Sequence, residues 1–410
     1  MDRTAVPRVV VTGCGLVTPA GVGWDASWRG LVGGRSYCRE TGGSDLGWPT
    51  TPRKLDEGRF AAAVAPYADR NLRRDPLIAF ARDAGGEALR EAGLTPRRNG
   101  TVDPSFGCVA GTSKGGLLTV LETFRGPASA PFEFDPGLVA RCLAADFGLG
   151  AGAIAPVAAC ATGLVAIGHA ADLVRHGCWT AALAGGADAS LHPAVLASYR
   201  RLGVLARGDG DVERWARPFD ADRRGFVIGE GAGFVVLESW ETARARGARP
   251  WAEIAGYGAT SDAGGLVRST EDPEPLARAI SLALLHAGCA PGDIDAITLH
   301  GTGTRPNDPV ESAAIRAALG DRASRIPCWS AKGTIGHLLG ACGAVELVAS
   351  CLMLREGIVP PTANLQRLDP ACALDVVRDR PRETPLRTVL KTSLGFGGHC
   401  VAMVLRRAED

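Results

Sequence analysis

The stretch 157-VAACATGLVAIGHAADLV-174 sets one thiol, Cys160, among alanines, a threonine and a glycine, immediately ahead of an apolar helical pattern. Residues 154–158 read as a short strand, and the helix after the cysteine runs to about His176. A cysteine at a helix start meets free backbone N–H groups and the positive end of the helix dipole. Both favour thiolate over thiol and raise reactivity at neutral pH. The small neighbours Ala158, Ala159, Ala161 and Gly163 leave room for a substrate. The plain alternative is that Cys160 is one more small buried residue of the core.

Outward from this stretch the alternation of strand and helix repeats. Residues 8-RVVVTGCGLVTPAG-21 read as a buried strand closed by a turn at Thr18 and Pro19, and a helix over 24–31 follows. Residues 77–93 read as an amphipathic helix, 106–113 as a strand entering a glycine turn, 115–124 and 137–147 as helices, and 180–188 as a strand. The segment 225-GFVIGEGAGFVVLE-238 reads as a β-hairpin arm around a glycine bend, with a helix over 240–247. The second half continues with strand 251–258, helix 274–288, strand 294–300, helix 308–319, strand 327–330, helix 339–356 and two strands around 395-GFGGH-399. This rhythm predicts an α/β fold with mostly parallel sheets. Two halves of similar rhythm suggest an internal duplication, with no residue-level repeat visible.

Composition bounds the function. The 410 residues are 46% hydrophobic, enough for a sizeable core, and the formal net charge of +1 at pH 7 argues for neither nucleic acid nor an anionic membrane as partner. No apolar run approaches the ~20 residues of a membrane span. Twelve cysteines form no CxxC pair, and the opening MDRTAVPRVVVTG has no basic segment followed by an apolar one. Scattered reduced thiols in a cytoplasmic protein are the expectation. The only lysines are Lys54, Lys114, Lys332 and Lys391, and two of the four lie inside glycine-rich motifs.

Two of the seven histidines sit in glycine-rich turns, 299-LHGTGTRPND-308 and 335-IGHLLGACGAVE-346. A histidine held in a backbone-dominated turn can point its ring into a cleft, and His300 and His337 together with Cys160 make a Cys/His/His constellation. Zinc is the competing use of such residues, but positions 160, 300 and 337 contain no closely spaced ligand pair. Lys332, in 330-SAKGTIGH-337, is expected to be buried in part and to need a partner; Glu346 in the following helix is the candidate. In 393-SLGFGGHC-400 the glycines around Phe396 free the backbone for an unusual turn, whose N–H can serve an oxyanion hole.

From about Val9 to Arg407 the chain resembles the β-ketoacyl synthases, the condensing enzymes of fatty-acid and polyketide assembly. The resemblance rests on VVVTGCGLVTPAG, ACATG around Cys160, RPFDADRRGFVIGEGAG at 217–233, HGTGTRPNDPVE at 300–311, KGTIGHLLGACGAVE at 332–346 and GFGGH at 395–399. It implies a thiolase-like fold of two duplicated βαβαβαββ halves in a five-layered αβαβα sandwich, here residues 1–255 with Cys160 and 256–410 with His300 and His337. It implies that Cys160 takes an acyl chain from an acyl carrier protein, with the N–H groups of Cys160 and Phe396 as oxyanion hole. Phe396 also resembles the gate to the extender pocket. His300 and His337 resemble the pair that promotes decarboxylation of a malonyl thioester, and Lys332, paired with Glu346, the lysine that orients the second histidine. Thr302 and Thr304 match positions that bond the phosphopantetheine arm, and Asp308 an acidic residue of the same loop. Arg70, Arg73 and Arg74 match a basic patch that docks the carrier. No metal or other cofactor is implied, the phosphopantetheine arriving on the carrier. The expected assembly is a homodimer, or a heterodimer with a second ketosynthase-like chain, and a specialised polyketide-type pathway fits the unusual residues best.

The chain departs from the family in places. Cys400 stands where an asparagine is usual, which either loosens the turn carrying Phe396 or is a neutral core exchange. Lys114, in 111-GTSKGGL-117, stands where many relatives place an apolar residue beside the acyl pocket. It points to solvent, pairs with a carboxylate across the subunit interface, or accompanies a polar or short substrate. Arg224 replaces an acidic residue and reads as a surface variation. Two other functions compete: a non-catalytic chain-length-factor-like partner of a ketosynthase, and non-decarboxylating thiolase chemistry with Cys400 as a second cysteine.

Overall fold

The computed structural model describes residues 7–40, 60–62, 75–94, 102–123, 135–208, 210–265 and 271–409. The strands fall into two sets linked through one short pairing. In the first, Val9–Thr18 runs antiparallel to Gly231–Ser239, which runs antiparallel to Ala181–Asp188; Phe106–Gly111 and then Ala153–Ile154 add in parallel. In the second, Ala252–Ser261 runs antiparallel to His399–Arg406, which runs antiparallel to Thr388–Gly395; Ala296–Thr298, Pro327–Trp329 and Asp375–Val376 add in parallel. The same sequence of pairings is thus used twice. The sets join where Val10 and Val11 pair with Glu253 and Ala252.

The sheets are therefore mixed, not mostly parallel. Thr388–Gly395 and His399–Arg406 are joined by a tight turn in which Gly397 and Gly398 have φ of 88° and 85°, so the two strands must run antiparallel. The expected hairpin over 225–238 is also absent. Gly231–Ser239 is a sheet strand, but the segment before it bonds to other parts of the chain, among them the turn carrying His337. The His337 N–H donates to the Val227 carbonyl at 2.7 Å, and the Gly229 N–H donates to the His337 carbonyl at 2.9 Å.

A residue-level repeat becomes visible in three dimensions. Gly13 and Gly15 in the first half, and Gly256 and Gly258 in the second, follow a β-bulge at the same place in their strands. A Cβ at Gly13 or Gly15 would strike the carbonyl oxygens of Ala88 and Ala84 in the helix Pro76–Glu91. A Cβ at Gly256 or Gly258 would strike those of Ala283 and Ala279 in the helix Glu274–Ala287. Each half uses a Gly-x-Gly pair to bring an outer helix onto its sheet.

Between the two sheets lie Thr162–Arg175 and Cys342–Glu356, which touch strands of both sets. They meet through Gly163 and Gly343: a Cβ on either would collide with the backbone of Ala344 or Leu164. Every residue from Cys342 to Leu354 is buried, which explains why this helix shows no polar face in the sequence. Outer helices, sheet, central helices, sheet and outer helices make the five layers. Each central helix starts beyond a short 3₁₀ turn, Ala159–Ala161 or Leu339–Ala341, and in both turns the first residue has φ of 48°. The nucleophile candidate and the second histidine's loop thus occupy corresponding ends of a duplicated motif. Among the described residues, no helix is long and apolar enough to cross a membrane.

Candidate active site

Cys160 sits in the 3₁₀ turn, not in the α-helix itself. Ala159 holds a left-handed φ that non-glycine residues rarely adopt, and Thr162 fastens the turn: its hydroxyl accepts from the Ala158 N–H at 2.9 Å and donates to the Ala159 carbonyl at 2.7 Å. The end of strand Thr388–Gly395 lies against this turn so closely that a Cβ at Gly395 would overlap the Ala158 carbonyl. That approach brings the Phe396 N–H near enough to the Cys160 sulfur to lower the pKa of the thiol.

The thiol is not the ready thiolate that a helix start implies. Burial pushes it up to about 11, against the opposing pull of Lys114, Lys332 and the Phe396 N–H. Cys160 is 5% exposed, and desolvation outweighs the local dipole. Alkylation of Cys160 by iodoacetamide should therefore climb about tenfold per pH unit from about pH 7 to about pH 10. A plateau below about pH 8, read on the Cys160 peptide, would mean the thiolate is already formed.

His300 and His337 meet edge to face, ring centroids 5.5 Å apart at 82°, and both are buried. Glu311 fastens the first turn by accepting the N–H groups of His300 and Gly301 at 2.7 and 2.8 Å, and the Thr392 hydroxyl at 2.7 Å. Burial, reinforced by Lys332, holds both histidines well below the ordinary imidazole value; His337 and Lys391 add to this at His300, and Lys114 at His337. Both rings are neutral at physiological pH.

Their partners assign the tautomers. Lys332 Nζ lies 3.4 Å from His300 Nδ1 and also donates to the His300 carbonyl. Cys342 Sγ lies 3.0 Å from His337 Nδ1 and accepts the Leu338 N–H, also at 3.0 Å. Burial pushes the Cys342 thiol far up, so it keeps its proton and donates it to Nδ1. Each Nδ1 is an acceptor and each Nε2 carries the hydrogen. The family pattern leads one to expect Lys332 beside His337, but its ammonium contacts His300, because the chain folds the turn 330–337 back under the first histidine's loop.

Lys332 and Glu346 pair at 2.5 Å as expected, but Glu346 also takes Lys391 at 2.9 Å, and all three side chains are buried. Burial works to discharge both lysines. The charges of Glu346 and Glu311 overcome it at Lys332, which is raised, and fail to at Lys391, which is lowered. Lys391, Glu311 and Cys342 were missed in the sequence. The scarcity of lysine marks Lys391, and Glu311 ends the quoted HGTGTRPNDPVE.

Around the same loop, Thr302 and Thr304 share a 2.9 Å hydrogen bond and are nearly buried. Asp308 accepts the Phe219 N–H at 2.7 Å and the Gly303 N–H at 3.1 Å; burial raises it to about 6. Arg223, a further unforeseen residue, donates to the Thr304 carbonyl at 3.1 Å and reaches Asp308 at 3.6 Å. Arg224 is exposed.

Lys114 does not point to solvent: half-buried, it donates to Ser113 Oγ at 2.6 Å and Ser190 Oγ at 3.1 Å. Cys400 lies in an apolar cluster with Leu390, Ala402 and Val404, separate from the cluster holding Cys160. Arg70, Arg73 and Arg74 lie outside the described residues.

Two family models match the chain, the N-terminal domain of β-ketoacyl synthase over residues 7–243 and its C-terminal domain over 251–366. The chain belongs to the β-ketoacyl synthase family. Among curated family members, the 3-oxoacyl-[acyl-carrier-protein] synthase 2 of Rhizobium meliloti is 37% identical, covering 98% of this chain and 99% of that one. Among solved family structures, a type II polyketide-synthase acyl carrier protein in complex with its ketosynthase bound to the hexaketide superposes with a TM-score of 0.90 at 32% identity, covering 99% and 100% of the two chains. The ishigamide ketosynthase/chain length factor gives 0.85 at 32% identity, covering 99% and 100%.

Proposed function

We propose that this chain is a β-ketoacyl-carrier-protein synthase in which Cys160 carries the acyl chain and His300 and His337 drive a decarboxylative Claisen condensation. The observation that carries the reading is a chain of ring contacts: Phe396, whose N–H lowers the Cys160 pKa, stacks on Tyr199, Tyr199 meets Phe226, Phe226 meets His337, and His337 meets His300.

The steps follow from the protonation states. In the first, the Cys160 S–H adds to the acyl thioester of a carrier-borne phosphopantetheine, and the Cys160 and Phe396 N–H groups take the charge that develops on oxygen. The pantetheine sulfur leaves with the proton, so thiol exchanges for thiol and a resting thiolate is not required. In the second, the malonyl thioester loses CO₂, and the electron pair of that C–C bond becomes an enolate. The Nε2–H groups of His300 and His337 donate to its oxygen. The enolate carbon attacks the Cys160 thioester, the C–S bond breaks, and Cys160 recovers a proton from solvent. This chemistry calls on no metal or redox group. Thr302 and Thr304 hold the pantetheine arm, with Asp308 and Arg223 fixing their loop; Lys332, Glu346 and Lys391 set the field around His300.

We propose two halves on the strength of the pairing order used twice, with the expected boundary of 1–255 and 256–410 moved ahead of the strand Ala252–Ser261, which belongs to the second set. The partners are an acyl carrier protein, with Arg70, Arg73 and Arg74 as its docking patch, and a second ketosynthase-like chain in a homodimer or heterodimer. The compartment is the cytoplasm and the pathway type II polyketide assembly. A silent chain-length-factor role is less favoured, because the chain keeps Cys160, His300 and His337.

His300→Ala and His337→Ala separate the two steps. Each is expected to acylate Cys160 within about tenfold of the wild-type rate while losing about 10²–10³ in CO₂ release from malonyl-carrier protein. Equal losses in both steps would refute the assignment of the histidines to decarboxylation.

A further inference from the structure

Lys114 stands in a site that the condensation steps do not use. Its two hydrogen-bond acceptors, the hydroxyls of Ser113 and Ser190, both donate their own protons to Asp188. Asp188 also takes the Ser113 N–H at 3.2 Å and the Gly340 N–H at 3.1 Å, so four donors already answer its carboxylate. The hydroxyls therefore present only lone pairs to the lysine. Among the described residues, no carboxylate lies within ion-pair distance of Lys114 Nζ, and with two acceptors the ammonium keeps one N–H for something else.

The ammonium faces the nucleophile's surroundings. Nζ lies 5.5 Å over the ring of Tyr199, which stacks on Phe396 at 6.4 Å and meets Phe226 edge-on at 6.1 Å. Phe226 in turn meets His337 at 4.7 Å. Lys114 is thus one aromatic ring away from Phe396, whose N–H lowers the Cys160 pKa. The Cys160 thiol feels its charge more strongly than any other group's.

We propose that the acyl pocket of this ketosynthase takes a short acyl group bearing its own carboxylate, paired with the Lys114 ammonium. The assignment rests on the ketosynthase reading above. An unbroken alkyl chain would cover an ammonium that no carboxylate contacts directly, since Asp188 reaches it only through the two hydroxyls. A ketone would accept one hydrogen bond and leave the ammonium without a direct ion pair. A carboxylate satisfies both through a charge-assisted bond.

The test compares glutaryl-pantetheine with hexanoyl-pantetheine as acyl donors to the full chain, following the Cys160 adduct by intact-protein mass. The wild type is expected to take glutaryl faster by at least about tenfold, Lys114→Met to reverse that order, and Lys114→Arg to restore it. Lys114→Gln gives the same reversal and serves if the methionine variant does not fold. Hexanoyl transfer equal to or faster than glutaryl in the wild type, with the ratio unmoved by Lys114→Met, overturns the proposal and leaves the ketosynthase reading standing. That is also the result if a partner subunit's carboxylate already occupies the ammonium. No adduct from either donor overturns both.

Discussion

Cys160→Ala is expected to lower condensation by at least about 10⁴ while leaving the fold intact. The two expectations come from the same local geometry. The turn that presents residue 160 is held by Thr162, by the close approach of Gly395 and by the φ of Ala159, none of which uses the sulfur. Removing one sulfur atom from this packed turn costs about 1 kcal/mol, small against the stability of a large domain. The chemistry has no such reserve. Cys342 is tied to His337 Nδ1 and the Leu338 N–H, and Cys400 lies in a separate apolar cluster, so neither is expected to take over the acyl group. Far-UV circular dichroism and the thermal midpoint check the fold, and β-ketoacyl product from the two carrier thioesters checks the activity. Condensation within about tenfold of wild type would remove Cys160 from the mechanism.

Glu346→Gln is expected to cost about 3–5 kcal/mol of stability. Glu346 pairs with two buried ammonium groups at once, Lys332 at 2.5 Å and Lys391 at 2.9 Å, and all three side chains are at most 1% exposed. Glutamine keeps the shape and removes the charge that keeps Lys332 protonated against burial. The contrast is Lys391→Met, which leaves Lys332 and Glu346 as a matched pair and is expected to cost far less. Urea unfolding of the three proteins measures the difference, provided the slope of the transition is unchanged. A Glu346→Gln loss below about 1 kcal/mol would mean that the lysines share no essential counter-charge.

The nucleophile and the two histidines are legible in the sequence because each sits in a short motif dense in glycine or alanine. Such motifs have few conformations that also allow close packing, so the residue type and its neighbours largely determine the local geometry. What the sequence hides is contact between motifs. Lys332 lies five residues before His337 and thirty-two after His300, yet it touches His300. Lys391 is the last of four scattered lysines and nothing nearby in the chain announces that it shares Glu346 with Lys332. The thiolate expectation for Cys160 failed because the helix start is a local feature, whereas desolvation depends on everything folded over it. The duplication was seen as rhythm but not as residues, since what repeats is a pair of glycines and a bulge, Gly13 and Gly15 against Gly256 and Gly258. The antiparallel centre of each sheet was missed for a related reason: strand direction is set by which strands become neighbours, and only the 395–399 turn declares one of those neighbours outright. Lys114 was visible as an anomaly, but its meaning depends on Ser190 and Tyr199, more than seventy residues away.

In the proposed mechanism one thiol both accepts the acyl chain and gives it up to a decarboxylated malonyl unit. Intact-protein mass of the full chain tests it most directly, first after mixing with a short acyl-carrier thioester and then after adding malonyl-carrier protein. The expected result is an acyl adduct on the Cys160 peptide that disappears as β-ketoacyl-carrier product and CO₂ form. An adduct that appears only on a co-purified partner chain, with this chain unmodified throughout, would contradict it.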